Sequence, residues 1–341
     1  MDFLLWLQGL REASGGVFDG IMMSFSSIVT GVTLYLFIGG VYWCIDKQAG
    51  ALICMSYSFG GAVNQFIKNT ACVYRPWIRD PAVVPVEKAK ATATGYSFPS
   101  GHSQLSTAVF GSAAVWQKKR IWAVILCVLV TLLIMFSRMY LGVHTPQDVL
   151  VGCAESCVVI ALNCRLMKWL DKNPDRDIFV FAVGMVVCAA ILLFTTLKPY
   201  PIDMTAEGTV LVEPVKMIAD CYGMAGSLVG FLGGWILERR FIKFEPAKKI
   251  WQKIVSFIIG GILLVVVVIG IGKPVMAALE ECGQAGIYGA KAFQTFILFF
   301  YIIAVYPALM KLFAKLFAKV TTHRLASLVY RTGSCFFLLK L

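Results

Sequence analysis

Residues 121–141 read IWAVILCVLVTLLIMFSRMYL, and this stretch decides the architecture. No charge interrupts it before Arg138, and it is long enough to cross a bilayer as one helix, which takes about 20 apolar residues. Its last turn carries Ser137-Arg138, so a fixed cation sits where the span ends. Working outward, comparable runs recur at about 24–45, 50–68, 101–117, 147–169, 178–197, 217–237, 253–274 and 291–312. The sequence therefore predicts an all-α integral membrane protein, a polytopic helical bundle of about nine transmembrane helices. Composition agrees: 59% of residues are hydrophobic, 15% are charged and the mean hydropathy is +0.77. Soluble domains carry about 25% charged residues. The runs near 101–117 and 217–237 are rich in Gly, Ala and Ser, which lets helices approach closely.

The net charge of +12 does not point to nucleic acid, because the basic residues sit in the loops between spans. With the N-terminus placed outside, eleven of the 31 Lys and Arg fall on the outer side. The inner side takes the rest, including Lys118-Lys119-Arg120, Arg239-Arg240 and Lys248-Lys249. That asymmetry follows the positive-inside rule. It predicts a plasma-membrane protein with its N-terminus out and its C-terminus cytoplasmic. Met1 to Arg11 lack the basic start and the apolar length of a signal peptide. Leu4, Leu7 and Leu10 fit either a short interfacial helix or a frayed end. The eleven cysteines show no paired or metal-like spacing, and no Asn-x-Ser/Thr acceptor occurs.

The chemistry lies in three segments. They are Lys68 to Arg75-Pro76, then Pro99-Ser100-Gly101-His102, then Ser137-Arg138 followed by His144 and Asp148. Taken singly, each has a bland reading. Lys68 at a span end is a snorkelling lysine. Arg75-Pro76 is a loop dipeptide. Pro-Ser-Gly-His is an ordinary helix start. Asp148 is a helix-capping residue near an unrelated histidine. Yet the chain has only three histidines, and two of them fall in these segments at outer span ends. The joint reading is phosphoryl transfer. Lys68, Arg75 and Arg138 clamp phosphate oxygens, and the Ser100 and Gly101 amides add a helix-start anion site. His144, oriented by Asp148, is the nucleophile, and His102 protonates the leaving oxygen. Three cations supply the charge stabilisation, so no metal and no cofactor is expected.

In order and spacing, Lys-x6-Arg-Pro, Pro-Ser-Gly-His and Ser-Arg-x5-His-x3-Asp resemble the signature of the type 2 phosphatidic acid phosphatase superfamily. The resemblance covers about 90 residues. It implies a helical membrane core with the site at its outer face, the roles given above, and catalysis through a phosphohistidine without a metal. The placement of motifs on spans is similar to the glucose-6-phosphatase and sphingosine-1-phosphate phosphatase branches. The first usually has Gln where Asp148 stands, and the second usually has Thr where Gly101 stands.

The expected function is hydrolysis of a phosphomonoester or pyrophosphate at the extracytoplasmic face. The substrate would be a lipid phosphate drawn from the membrane lipids around the protein. The alternatives are a soluble sugar phosphate, or a non-catalytic lipid-phosphate binder or transporter. A vanadium haloperoxidase would share the motifs but is soluble. Residues 1–170 are expected to form the phosphatase core, 171–320 accessory helices and 321–341 a tail. Glu155, inside the fifth span, is either a functional carboxylate or one bonded to a neighbouring Ser, Asn or Gln. Asn64, four residues before Lys68, is placed to position it.

Overall fold

Each helix that carries a motif starts or stops at a residue chosen for that purpose. The structure, a computed structural model, describes residues 1–205 and 208–315. The tail with His323 lies outside the described residues. The chain runs α1 (Asp2–Ala13), α2 (Asp19–Ser27), α3 (Gly31–Gly40, wound on through Val41–Ile45) and α4 (Lys47–Ala71). The Asp46 carboxylate caps α4 by accepting from the Gln48 and Ala49 amides at 2.8 and 3.0 Å. Cys72 ends it in a left-handed conformation, φ 48°. That stop leaves Lys68 on the final turn and frees the chain to bring Arg75 back towards it.

After two single helical turns, Pro76–Arg79 and Glu87–Lys90, α5 opens at Gly101. It runs as Gly101–Ser106, Thr107–Gly111 and Ser112–Trp116 without a break. Then come α6 (Ile121–Tyr140) and α7 (Pro146–Lys172). α7 starts with a complete capping box: the Thr145 hydroxyl accepts from the Asp148 amide, and the Asp148 carboxylate accepts from the Thr145 amide. α8 (Asp177–Leu197), α9 (Pro214–Leu237), α10 (Ile250–Val266) and α11 (Gly283–Phe300) complete the bundle.

Among the described residues the architecture is all-helical, apart from one isolated bridge between Met204 and Val210. Six helices are long and apolar enough to cross a membrane. A seventh arises if the bent pair Asp19–Ser27 and Gly31–Ile45 is one span. The nine expected segments are helical, the first with a turn at residues 28–30, but α4 and α5 are not among those six. They lie inside the bundle, where Ser56, Ser58, Asn64, Gln104 and Ser112 are buried among other helices. A helix shielded from lipid has no need of an unbroken apolar surface. The opposite case is α10, which turns Trp251, Ile254, Ile258 and Ile262 outward.

Glycines set the closest helix contacts. A Cβ at Gly152 on α7 would stand 2.6 Å from the Ser100 carbonyl oxygen, and one at Gly226 on α9 would stand 2.0 Å from that of Ala292 on α11. The two halves of the chain also share one core. Trp43 at the end of α3 donates its indole N–H to the Ile302 carbonyl at 2.8 Å and packs edge-on against Tyr301 and Tyr306. α1 lies across the motif-bearing end, with Leu4 and Leu7 buried. Its Arg11 donates to the Val84 carbonyl at 2.6 Å. The N-terminus is thus a docked helix, not a frayed end.

Gly233 on α9 has nothing within 4 Å of a built Cβ. Gly233→Ala should be neutral or stabilising by up to about 1 kcal/mol, the helix-propensity gain. Gly226→Ala should lower the thermal midpoint in detergent. Equal midpoints for the two variants would refute the close α9–α11 contact.

Candidate active site

All three motifs meet at one end of the bundle. Lys68, on the last turn of α4, is buried and donates to the carbonyls of Pro99 at 2.6 Å and Tyr96 at 3.3 Å. Arg75 is equally enclosed. It donates through Nε to the Gly95 carbonyl at 2.9 Å, and through Nη1 to the Val143 carbonyl at 3.0 Å. The same Nη1 lies 2.8 Å from His144 Nε2. A guanidinium only donates, so Nε2 is the acceptor and the imidazole proton belongs on Nδ1.

His144 Nδ1 faces Asp148 Oδ2 at 3.5 Å and the Ser97 hydroxyl at 3.4 Å. Ser97 in turn donates to Asp148 Oδ2 at 2.6 Å, and the Thr145 amide donates to the same oxygen at 2.8 Å. The capping reading of Asp148 therefore holds, and it leaves the same carboxylate beside His144. One carboxylate fixes the start of α7 and stands behind the histidine, with Ser97 as the tighter link. Burial, and then the charges of Arg75, Arg138 and Lys68, hold the His144 imidazole well below its ordinary pKa.

α5 enters from the other side. The Ser100 hydroxyl caps the helix by accepting from the Ser103 amide, while the Ser100 amide donates to the Asp148 carbonyl at 2.9 Å. The Ser100 amide is thus engaged by α7. The Gly101 amide is left at the first turn, where N–H groups have no intrahelical partner. His102 follows, and its buried Nε2 has no partner among the described residues. Arg138, on α6, is fully buried. Its Nη1 donates to the hydroxyls of Ser26 at 2.5 Å and Thr92 at 3.2 Å, whereas Nε and Nη2 are unpartnered. The arrangement offers free guanidinium N–H groups, a free helix-start amide, a neutral imidazole and a second imidazole awaiting a partner. Those are the needs of a tetrahedral oxyanion.

Two family matches span these elements. Residues 49–172, which hold all three motifs, match the PAP2 superfamily, and residues 222–319 match the PAP2 superfamily phosphatase, transmembrane extension. The chain belongs to the PAP2 superfamily. Sphingosine-1-phosphate phosphatase 2 of Mus musculus is 26% identical over 194 residues, 52% of this chain and 54% of that protein. Lipid phosphate phosphatase delta of Arabidopsis thaliana is 23% identical over 186 residues, 50% of this chain and 42% of the plant protein. Phosphatidylglycerophosphatase B of Escherichia coli is 31% identical over 77 residues, 22% of this chain and 30% of its own. The chain thus spans about half the length of the first two relatives. No solved structure gives a significant match.

Within this PAP2 site, sequence reasoning missed Ser97, Thr145, Ser26 and Thr92, together with the carbonyls of Gly95, Pro99 and Val143. A lone Ser two residues before Pro99 carries little signal. The Thr-x-x-Asp capping pattern before an apolar run was legible at Thr145. A pocket of about 630 Å³ borders the site at Arg75 and is lined also by Trp77, Lys90, Gly95, Val212 and Lys216. Trp77 lines this pocket and packs against the cluster of Ala89, Tyr140 and Leu141.

An unfolded histidine titrates near pH 6.5, and His144 in the folded chain titrates lower. Below about 6.5 the unfolded chain therefore binds more protons, and stability falls as pH drops through that value. The thermal midpoint in detergent should fall between about pH 7 and pH 5, and fall less in His144→Gln. Equal falls in the two proteins would contradict this burial of a neutral imidazole.

Proposed function

We propose that this chain is a membrane-embedded, metal-independent phosphatase that hydrolyses a phosphomonoester or pyrophosphate of a lipid through a phosphohistidine. The observation that carries the reading is His144. Its Nε2 lone pair points at the Arg75 guanidinium, where a phosphate oxygen would bind, and its Nδ1 is backed by Asp148 and Ser97. In the first step Nε2 attacks phosphorus, the P–O bond to the lipid breaks, and protonated His102 gives its proton to the leaving oxygen. In the second, neutral His102 takes a proton from water, the water oxygen attacks phosphorus, and the N–P bond breaks to release phosphate. Lys68, Arg75 and Arg138, with the Gly101 amide, stabilise the charge that gathers on the equatorial oxygens. Among the described residues no group of His, Cys, Asp and Glu is arranged to hold a metal.

Three relatives whose names state lipid phosphates support a lipid substrate. We assign the catalytic core to residues 1–170 and an accessory set of helices to 171–320, a division supported by the matched ranges 49–172 and 222–319. We also infer nine crossings, with α4 and α5 as internal spans, and a site at the extracytoplasmic face. The loop charges support that orientation.

The test is phosphate release by the detergent-solubilised protein from long-chain lipid phosphates and from glucose 6-phosphate. The lipid should have by far the larger kcat/KM. Preference for the sugar phosphate would move the reading to the soluble-substrate alternative. His144→Ala should abolish release, vanadate should inhibit, and a chelator should have no effect. Persistence of activity in His144→Ala would defeat the mechanism. Ser97→Ala should lower kcat by about tenfold or more, the loss expected of a charge-assisted hydrogen bond, with little change in KM.

A further inference from the structure

We propose that Glu155, Asn64 and Gln104 form a second subsite, beneath the phosphate pocket, that binds an amine or hydroxyl carried by the substrate next to its phosphoester. The inference rests on the phosphatase reading above and assigns side chains that the three motifs leave out.

The position follows from helix geometry. Asp148, Gly152 and Glu155 are spaced four and three apart, so they share one face of α7. Gly152 on that face is pressed against the first turn of α5, with room for no side chain beside the Ser100 carbonyl and the Gln104 amide. Glu155 is the next residue along. It lies about 10 Å further along the axis than Asp148, at 1.5 Å per residue. Helical side chains lean towards the N-terminus, which carries the carboxylate back towards the pocket. Across from it, Asn64 lies one turn before Lys68 on α4. A Cβ at Gly101 would be 3.9 Å from Asn64 Oδ1, so the Asn64 amide forms the floor of the anion turn. One turn further, Gly60 makes room for Gln104, whose Nε2 would be 2.5 Å from a Cβ there.

The chemistry follows from what is left unpaired. Both Glu155 carboxylate oxygens, Asn64 Nδ2 and Gln104 Nε2 are buried atoms with no hydrogen bond of good geometry among the described residues, and Asn64 is the side chain placed to donate to Glu155. Asn64 and Gln104 are each 1% exposed. Lys68 attracts Glu155 but makes no hydrogen bond to it, and two of its three N–H groups are taken by carbonyls of the 96–99 segment. Deeper on the same helix the polar groups are already matched: Ser156 donates to the Gln104 carbonyl and Asn163 to Ser56. An unpaired buried carboxylate is costly, and within a membrane bundle it marks a ligand path. It accepts from an ammonium or a hydroxyl, while the two amide N–H groups suit the oxygen of that hydroxyl. A diacylated glycerol phosphate offers only ester carbonyls at this depth, which can take the two amide N–H groups but bring no donor to the Glu155 carboxylate.

The test compares kcat/KM of the full-length protein for dihydrosphingosine 1-phosphate, lysophosphatidate and phosphatidate of matched chain length. Glu155→Ala should lose about ten- to a hundredfold on the first two, the range for a charge-assisted hydrogen bond. Phosphatidate hydrolysis should be little changed. Glu155→Gln, which keeps the shape and an acceptor oxygen, should retain more activity on the hydroxyl substrate than on the amine. Equal loss on all three substrates, or no loss on any, would overturn the subsite while leaving the phosphatase reading in place. Release from none of the three by the wild-type protein would overturn both.

Discussion

Three cations held out of water at one end of a membrane bundle are the constraint around which this structure is arranged. Lys68, Arg75 and Arg138 are all buried. An unpaired buried charge is expensive, and only Asp148 among the carboxylates stands at the centre of the site. The chain compensates with carbonyl dipoles. Those of Gly95, Tyr96, Pro99 and Val143 all point at guanidinium or ammonium groups. This is why the segment between α4 and α5 wraps inward instead of standing out in solvent. The compensation is incomplete at Arg138, where two guanidinium nitrogens stay free. An oxyanion placed there would complete it, which is the electrostatic ground for the proposed phosphate site.

The same charge field explains the histidines. The nucleophile proposed above must be neutral, and a buried imidazole facing Arg75 has strong reason to stay so. Asp148 alone would tend to favour the imidazolium. Its Oδ2 is shared with Ser97 and the Thr145 amide, which spreads its charge over several donors. The carboxylate therefore orients the ring without dominating its protonation.

Much of this site was legible in the sequence, because its charged groups are rare in a membrane chain. Lys68, Arg75, His102, Arg138, His144 and Asp148 stand out against an apolar background, and their spacing placed them at span ends. What stayed hidden were the groups that any residue supplies. A carbonyl has no sequence signature, so the cage around Lys68 and Arg75 could not be read. Ser26, Thr92 and Ser97 come from three separate segments that only folding brings together. The two inner helices stand apart from the six apolar ones for a related reason. Hydropathy reports contact with lipid, and α4 and α5 contact protein, so their polar, small-residue surfaces lie outside the rule that identifies α6 or α10.

The later helices contribute to the site without containing any of its motifs. Gly95, whose carbonyl holds Arg75, has a positive φ of 81°, and a Cβ there would meet Met217 of α9 at 2.4 Å. Tyr96 is buried in a cluster with Val212 and Met217, and Tyr74 donates to Asp203. The segment from 208 to 217 is thus packed onto the very loop that carries the carbonyl cage. It also supplies Val212 and Lys216 to the wall of the pocket facing Arg75. Two consequences follow from that contact. The loop that holds Arg75 is braced by α9 and the segment before it. The pocket beside Arg75 is drawn half from motif loops and half from a segment no motif describes. A chain can therefore keep every motif position while the opposite wall of that pocket, built from α9 and the segment before it, changes.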